Sequence, residues 1–435
     1  MNSILVGILG CGLMVLLIFL GMPIAFALML VGASGIWVFA GPDAALPVLA
    51  STVYETASTY PFTIIPLFVL MGGFADASGI TTRLYRTFDT WFRRWPGGLG
   101  IATIVAISGF SAISGSSIAT SAAFGKAVIP EMRRYRYAPK FAAGIVAAGA
   151  TIDFLIPPSI GFVVYGMVTE QSIGKLLIAG ILPGLVLAGL FVAIIVIWAR
   201  LDPTVAPVPP GIPSWRERVR ALAGMWETIF VFLVTIGGMY LGYVNPTEAG
   251  GVGCALLLLI TLLQGELSWR QLVDSLRDTV RVACMVLFLV AGANLFSYFL
   301  ALSTIPAQAS TWVAALGVPR YVVLGIVILV YLGMGCFLDA VSMMVLTMPV
   351  VFPLIAGLGF DPIWFGVICV LMMNAGLIMP PIGLNVNTIA GIVRDIPAKD
   401  VFLGAMPFLL AIYATTLIVI VWPSIATLLP GYMGR

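Results

Sequence analysis

Two proline pairs interrupt apolar stretches of this chain: Ile156-Pro157-Pro158-Ser159 in the first half, and Met379-Pro380-Pro381-Ile382-Gly383-Leu384-Asn385 in the second. Proline has no N–H to donate to the preceding turn and its ring clashes with that turn, so each pair breaks a helix and frees carbonyl oxygens. Hydrocarbon offers those oxygens no donor, and unwound backbone at membrane depth is tolerated only where protein buries it or it lines a polar cavity. Two breaks at matching places in the two halves of a chain mark the binding site of a secondary transporter. The chemistry is coordination rather than catalysis: half-helix N-termini turn positive dipole ends to an anion, and freed carbonyls suit a monovalent cation such as sodium.

Side chains near the breaks extend this donor set. Ser111, Ser114, Ser116 and Ser117, with Thr120 and Ser121, offer hydroxyl oxygens to a hard cation. Serine also packs membrane helices together, but placed opposite a broken helix the cluster reads as an ion or substrate site. Asp153 and Asp339 are carboxylates in membrane segments, where an unpaired charge costs at least ~2.5 kcal/mol and is a functional candidate. Asp153, four residues before Pro157, faces the cavity as a cation ligand or a protonatable group. Asp339 sits at a turn and either caps the helix that follows or meets the substrate. Asn374, Asn385, Asn387 and Thr388 flank the second break. Asn294 is expected to hold helices together, and Asp76 and Glu248 to lie near helix ends at the interface.

The elements that must position these groups are membrane helices. With 61% hydrophobic and 9% charged residues over 435 positions, the chain is an all-α polytopic membrane protein with no room for a separate soluble domain. Full crossings are expected near 3–20, 22–40, 61–78, 141–168, 174–200, 224–243, 247–264, 280–300, 363–391 and 401–429. The polar run at 111–117 and the run Gly333 to Asp339 split two further stretches. Basic residues flank the first on both sides, Arg83 to Arg94 before it and Lys126 to Lys140 after it, so both ends belong to the cytoplasm. Two arms of about fifteen residues at ~1.5 Å each reach most of the way through a ~30 Å core, which gives a re-entrant hairpin at about 97–129. Carried forward, this topology leaves only Lys175, Arg320 and Arg435 of the 21 basic residues outside. A second hairpin at about 321–357 then opens to the opposite face. The chain divides into inverted repeats, 1–200 and 224–435, joined by a cytoplasmic linker at 201–223. Segment 83–95, with Arg among Tyr, Phe and Trp, is expected to lie in the headgroup layer as a brace between hairpin and scaffold.

Other classes fall away. No histidine is present, which removes the commonest zinc ligand and neutral-pH proton shuttle. There is no acid–base–nucleophile set, so an enzyme is not expected, and nothing supports nucleic-acid binding. Cys11, Cys254, Cys284, Cys336 and Cys369 lack metal or disulfide spacing and read as packing residues. Segment 4–20 has neither a basic leader nor a cleavage site and is expected to remain as a membrane helix.

In order along the chain, Ser114-Gly115-Ser116-Ser117, Ile156-Pro157-Pro158-Ser159-Ile160 with Tyr165-Gly166, Gly174-Lys175-Leu176, Gly180-Ile181-Leu182-Pro183-Gly184, Phe337-Leu338-Asp339 and Gly376 to Asn385 resemble the large membrane subunit of the tripartite ATP-independent periplasmic (TRAP) transporters. The resemblance covers essentially the whole chain. It implies an elevator-type carrier in the bacterial inner membrane that imports small organic acids such as C4-dicarboxylates or sialic acid with Na+. It also implies two partners, a small four-helix membrane subunit and a periplasmic substrate-binding protein. Sodium would be held by Ser111, Ser114, Asp153, Ile156 and Pro158 in the first half and by Gly335, Gly376, Met379 and Ile382 in the second, mostly through backbone carbonyls. Ser116, Ser117, Ser159, Asp339, Asn385 and Thr388 are the candidates for substrate. Two departures stand out: Asp153 replaces a glycine usual in the family, and Met379 replaces a threonine. Asp153 could therefore add or substitute a proton in the coupling. A single-component carrier of the same superfamily is the neighbouring alternative.

Overall fold

Backbone N–H and C=O groups in hydrocarbon must be bonded within their own segment, and for a chain this apolar the solution is the helix. The computed structural model describes residues 3–211, 213–315 and 317–433, and among these every regular element is helical. Seven helical stretches among the described residues are long and apolar enough to cross a membrane: 60–77, 173–201, 215–240, 246–263, 269–303, 340–357 and 398–421. Helices Ser3–Phe19 and Ile24–Ala40 are equally apolar at 17 residues each, about 25 Å long.

Both broken stretches are present. The first consists of Pro139–Gly149, a tight turn Ala150–Phe154, the proline pair, and Ile160–Val168. The second consists of Pro362–Ile378 and Leu384–Ile392 on either side of the other pair. Both Pro–Pro bonds are cis. Each half also holds a helical hairpin, Gly98–Ser111 with Ser117–Arg134, and Arg320–Gly335 with Ala340–Gly357. The first turn uses Gly115 at φ +75°, a conformation open to glycine because it lacks a Cβ.

Several boundaries differ from those expected. Helix Pro42–Ser58 was not anticipated, because Asp43, Ser51, Thr52, Glu55 and Ser58 dilute its apolar signal and Pro47 reads as a stop. It packs against 24–40 and 269–303. The expected crossing 280–300 is the inner part of a 35-residue helix, Trp269–Ser303, about 52 Å long and opened by a Ser268–Gln271 capping box. Helix Ile305–Ala315 precedes the second hairpin. The single crossing expected at 401–429 ends at Val421, where Trp422-Pro423 separates a short helix Ser424–Tyr432.

Close crossings gather the helices into two bodies. In one, a Cβ on Gly144 would lie 2.2 Å from the Gly404 carbonyl carbon, so the first broken helix and 398–421 meet backbone to backbone. Phe191 stacks edge-on against Phe408 at 5.2 Å in the same body, and the first hairpin packs on 384–392 through Gly125 and Ile389. In the other body, Gly32 abuts the Leu295 backbone and Gly253 abuts Met71. The surface helix Ile80–Phe92 joins the two. Arg83 pairs with Glu227 (3.2 Å) and Glu266 (3.1 Å), and Trp91 donates to the Arg218 carbonyl (3.1 Å). On its other side Leu84 lies against Gly109 of the hairpin.

Candidate ion and anion site

Each hairpin turn seats on its own half's proline break. A Cβ on Gly115 would lie 2.6 Å from the Pro158 carbonyl oxygen, and one on Gly376 would lie 2.9 Å from the Gly335 carbonyl oxygen. Glycine at these contacts lets backbone oxygens of turn and break approach as no other residue would.

In the first half the carboxylate of Asp153, fully buried, accepts hydrogen bonds from Ser111 and Thr120. Ser114 in turn shares a hydrogen bond with Thr120 at 3.2 Å. The carbonyls of Ile156, Pro157 and Pro158 receive no donor among the described residues. These are hard oxygens on buried residues of the same turn and break, the chemistry an alkali cation takes. In the second half the fit is partial. The carbonyls of Met379, Pro380 and Pro381 receive no donor among the described residues. Gly376 accepts a long bond from the Met379 N–H (3.4 Å), and the Ile382 carbonyl is already taken by the Asn387 side-chain amide. The Met379 thioether is soft and faces the Tyr413 hydroxyl at 3.9 Å, leaving only the backbone oxygen of that residue for a cation.

The candidates for substrate separate into two groups. Ser159 is fully buried, donates to the Phe154 carbonyl (2.6 Å) and accepts from the Phe162 N–H, so its hydroxyl starts the returning half-helix. Asn385 donates to the Ser117 hydroxyl (2.7 Å) and to the Ala147 carbonyl (3.1 Å), tying the second half to the first hairpin and the first broken helix. Ser116 and Thr388 keep partly accessible surface. Ser116 begins the hairpin's second helix, accepting from the Ala119 N–H at 3.4 Å, and Thr388 bonds back to the Leu384 carbonyl. Asp339 occupies the equivalent place in the second hairpin, where its carboxylate caps the next helix through the Ser342 N–H (3.0 Å).

Asn374, in the helix that runs into the second break, is fully buried with neither amide atom hydrogen-bonded among the described residues. Burying an amide unpaired costs roughly 1–3 kcal/mol on protein scales. Asn294 donates to Thr56 at 3.4 Å between helices, the packing role expected of it. Sequence reasoning did not pair Thr120 with Asp153, 33 positions away, and did not place Gly72. That residue, within a Gly-Gly pair on 64–77, abuts the Ser114 carbonyl. The paired glycines were the available signal.

Two broken helices and two helical hairpins among apolar helices long enough to cross a bilayer define a multi-pass helical membrane protein. The fold is shared with the YdaH transporter of Alcanivorax borkumensis, at a TM-score of 0.63 and 14% identity over 89% of this chain and 90% of that one. Residues 11–425 match the family described as tripartite ATP-independent periplasmic transporter, DctM component, and the chain belongs to that family. It is 35% identical to the C4-dicarboxylate TRAP transporter large permease protein DctM of Pseudomonas aeruginosa over 89% of this chain and 90% of that protein. It is 29% identical to the sialic acid TRAP transporter large permease protein SiaM of Vibrio cholerae over 95% and 96%. The chain is thus a large permease of the TRAP transporter family and not an enzyme.

Proposed function

We propose that this protein is a sodium-coupled importer of small organic acid anions in the bacterial inner membrane. It takes substrate from a periplasmic binding protein and works beside a small four-helix membrane subunit. The observation that carries this reading is the seating of both hairpin turns on the two proline breaks, Gly115 on Pro158 and Gly335 on Gly376, among carbonyls without donors. Sodium at Ser111, Ser114, Asp153 and the carbonyls of Ile156 and Pro158 would order one tip against its break. The carbonyls of Gly335, Gly376 and Met379 would hold a second ion. The anion then meets Ser116, Thr388 and the two half-helix N-termini, while Ser117, Ser159 and Asn385 hold those starts in place.

The hairpins are re-entrant in this reading, and the body that carries them moves as an elevator against the other. Coupling is reciprocal: if sodium raises affinity for the anion by some factor, the anion raises affinity for sodium by the same factor.

The test is uptake of labelled succinate and of labelled sialic acid into proteoliposomes containing the permease, the small subunit and the binding protein. Uptake of either acid that stops when choline replaces sodium supports the reading. Uptake that ignores sodium and follows a pH gradient contradicts it, as would full uptake with the binding protein left out.

A further inference from the structure

Between the first hairpin and the long helix 269–303 lies a cleft of about 580 Å³ with charged walls. One wall is a single face of helix 117–134: Ser116, Ala119, Ala122 and Lys126 recur every three or four residues. The alanines leave the groove open from the hairpin turn to the lysine, about 15 Å along the helix. A lysine on a helix leans back toward the N-terminus, so the Lys126 ammonium reaches toward the turn. Arg281 faces it from the other wall, with Asp76, Asp274 and Asp278. Among the described residues neither Lys126 nor Arg281 has a carboxylate within ion-pair distance, whereas Asp274 is 3.9 Å from Arg270.

We propose that this cleft is the release vestibule for the transported acid, and that Lys126, with Arg281 opposite, holds its carboxylate after it leaves the hairpin turn. The inference rests on the anion-transport reading and adds the exit site to it. Walls of one sign would retain one ion of a cation–anion pair and repel the other. Here Asp76, Asp274 and Asp278 share the wall opposite the hairpin with Arg281, and the hairpin carries Lys126, so both ions find a partner on one route. An ammonium on a flexible stem, without the two-pronged grip of a guanidinium, suits a transient hold.

The experiment places a cysteine at Ala119, exposed midway along the groove, in the otherwise unchanged permease in nanodiscs. Its reaction rates with a negatively charged and a positively charged methanethiosulfonate are compared, after subtracting the rates of the protein without that cysteine. Lys126→Gln with Arg281→Gln should lower the anionic-to-cationic rate ratio about fivefold or more. Arg200→Gln, at the end of helix 181–201 and outside the cleft lining, should leave it unchanged. Succinate should slow modification of Ala119→Cys while Lys126 is present and lose that protection in Lys126→Gln. A ratio unmoved by the double change, or an Ala119→Cys that reacts with neither reagent, overturns the vestibule. So does an absence of succinate protection at Ala119→Cys in nanodiscs when the same permease takes up succinate in tripartite proteoliposomes. If the unsubstituted protein takes up no organic acid, the functional reading fails by itself and the charge ratio still judges the vestibule.

Discussion

At the scale of the residue, Asp153 is the pivotal group. Its carboxylate accepts hydrogen bonds from Ser111 and Thr120 on the two arms of the first hairpin, so it ties the turn to the break, and in the proposed sodium site it would add a side-chain ligand to the backbone oxygens. Asp153→Asn should therefore weaken sodium binding about tenfold, near 1.4 kcal/mol, read as a displaced sodium dependence of the melting temperature in the absence of substrate. An unchanged sodium curve would leave the residue as an anchor only. Asn385 makes a different prediction. Asn385→Ala would leave the Ser117 hydroxyl and the Ala147 carbonyl buried without their partner, and should cost about 1–3 kcal/mol of stability. A lowered melting point that sodium does not restore checks this. Asp153 was visible in the sequence because a carboxylate among apolar residues is conspicuous. The spent bonding capacity of Ser159 and Ile382 was not, since it depends on neighbours chosen by the local turn.

At the scale of the element, the glycine crossings decide what the helices can do. A Cβ at Gly404 would lie 1.9 Å from the Lys140 carbonyl oxygen, whereas Gly189 has open space around it. Gly404→Val should abolish monodisperse protein by size-exclusion chromatography, and Gly189→Ala should behave as the unsubstituted chain. The surface helix 80–92 is equally exacting. Glu227 is nearly fully buried, and Arg83→Met would remove its cationic partner, leaving a buried charge to Gln264 alone. Breaking such a pair costs about 3–5 kcal/mol, so its melting temperature should fall well below that of Arg270→Met, which touches only an exposed pair. The proline breaks and both helical hairpins were legible because proline acts within one turn and a polar or glycine-rich run splits each hairpin's apolar stretch. Helix 42–58 and the start of helix 269–303 escaped because tertiary packing and caps, rather than apolar runs, set them.

At the scale of the whole molecule, two groups of helices, each closed by glycine crossings and buried aromatic side chains, are bridged by the surface helix 80–92. Gly72 lets the helix that carries it come close to the Ser114 carbonyl of the first hairpin turn. The repeat of hairpin and break was readable from spacing alone, 43 positions from Ser114 to Pro157 and 45 from Gly335 to Pro380. What spacing could not tell is that the first break is fully buried while Pro381 and Ile382 of the second are exposed. The central claim, that freed oxygens at the two breaks gather sodium and thereby create the anion site, is tested most directly by succinate uptake in the reconstituted tripartite system under an imposed sodium gradient with pH held equal across the membrane. The account predicts uptake that rises with the gradient and disappears when choline replaces sodium; uptake of the same rate and extent without sodium would contradict it.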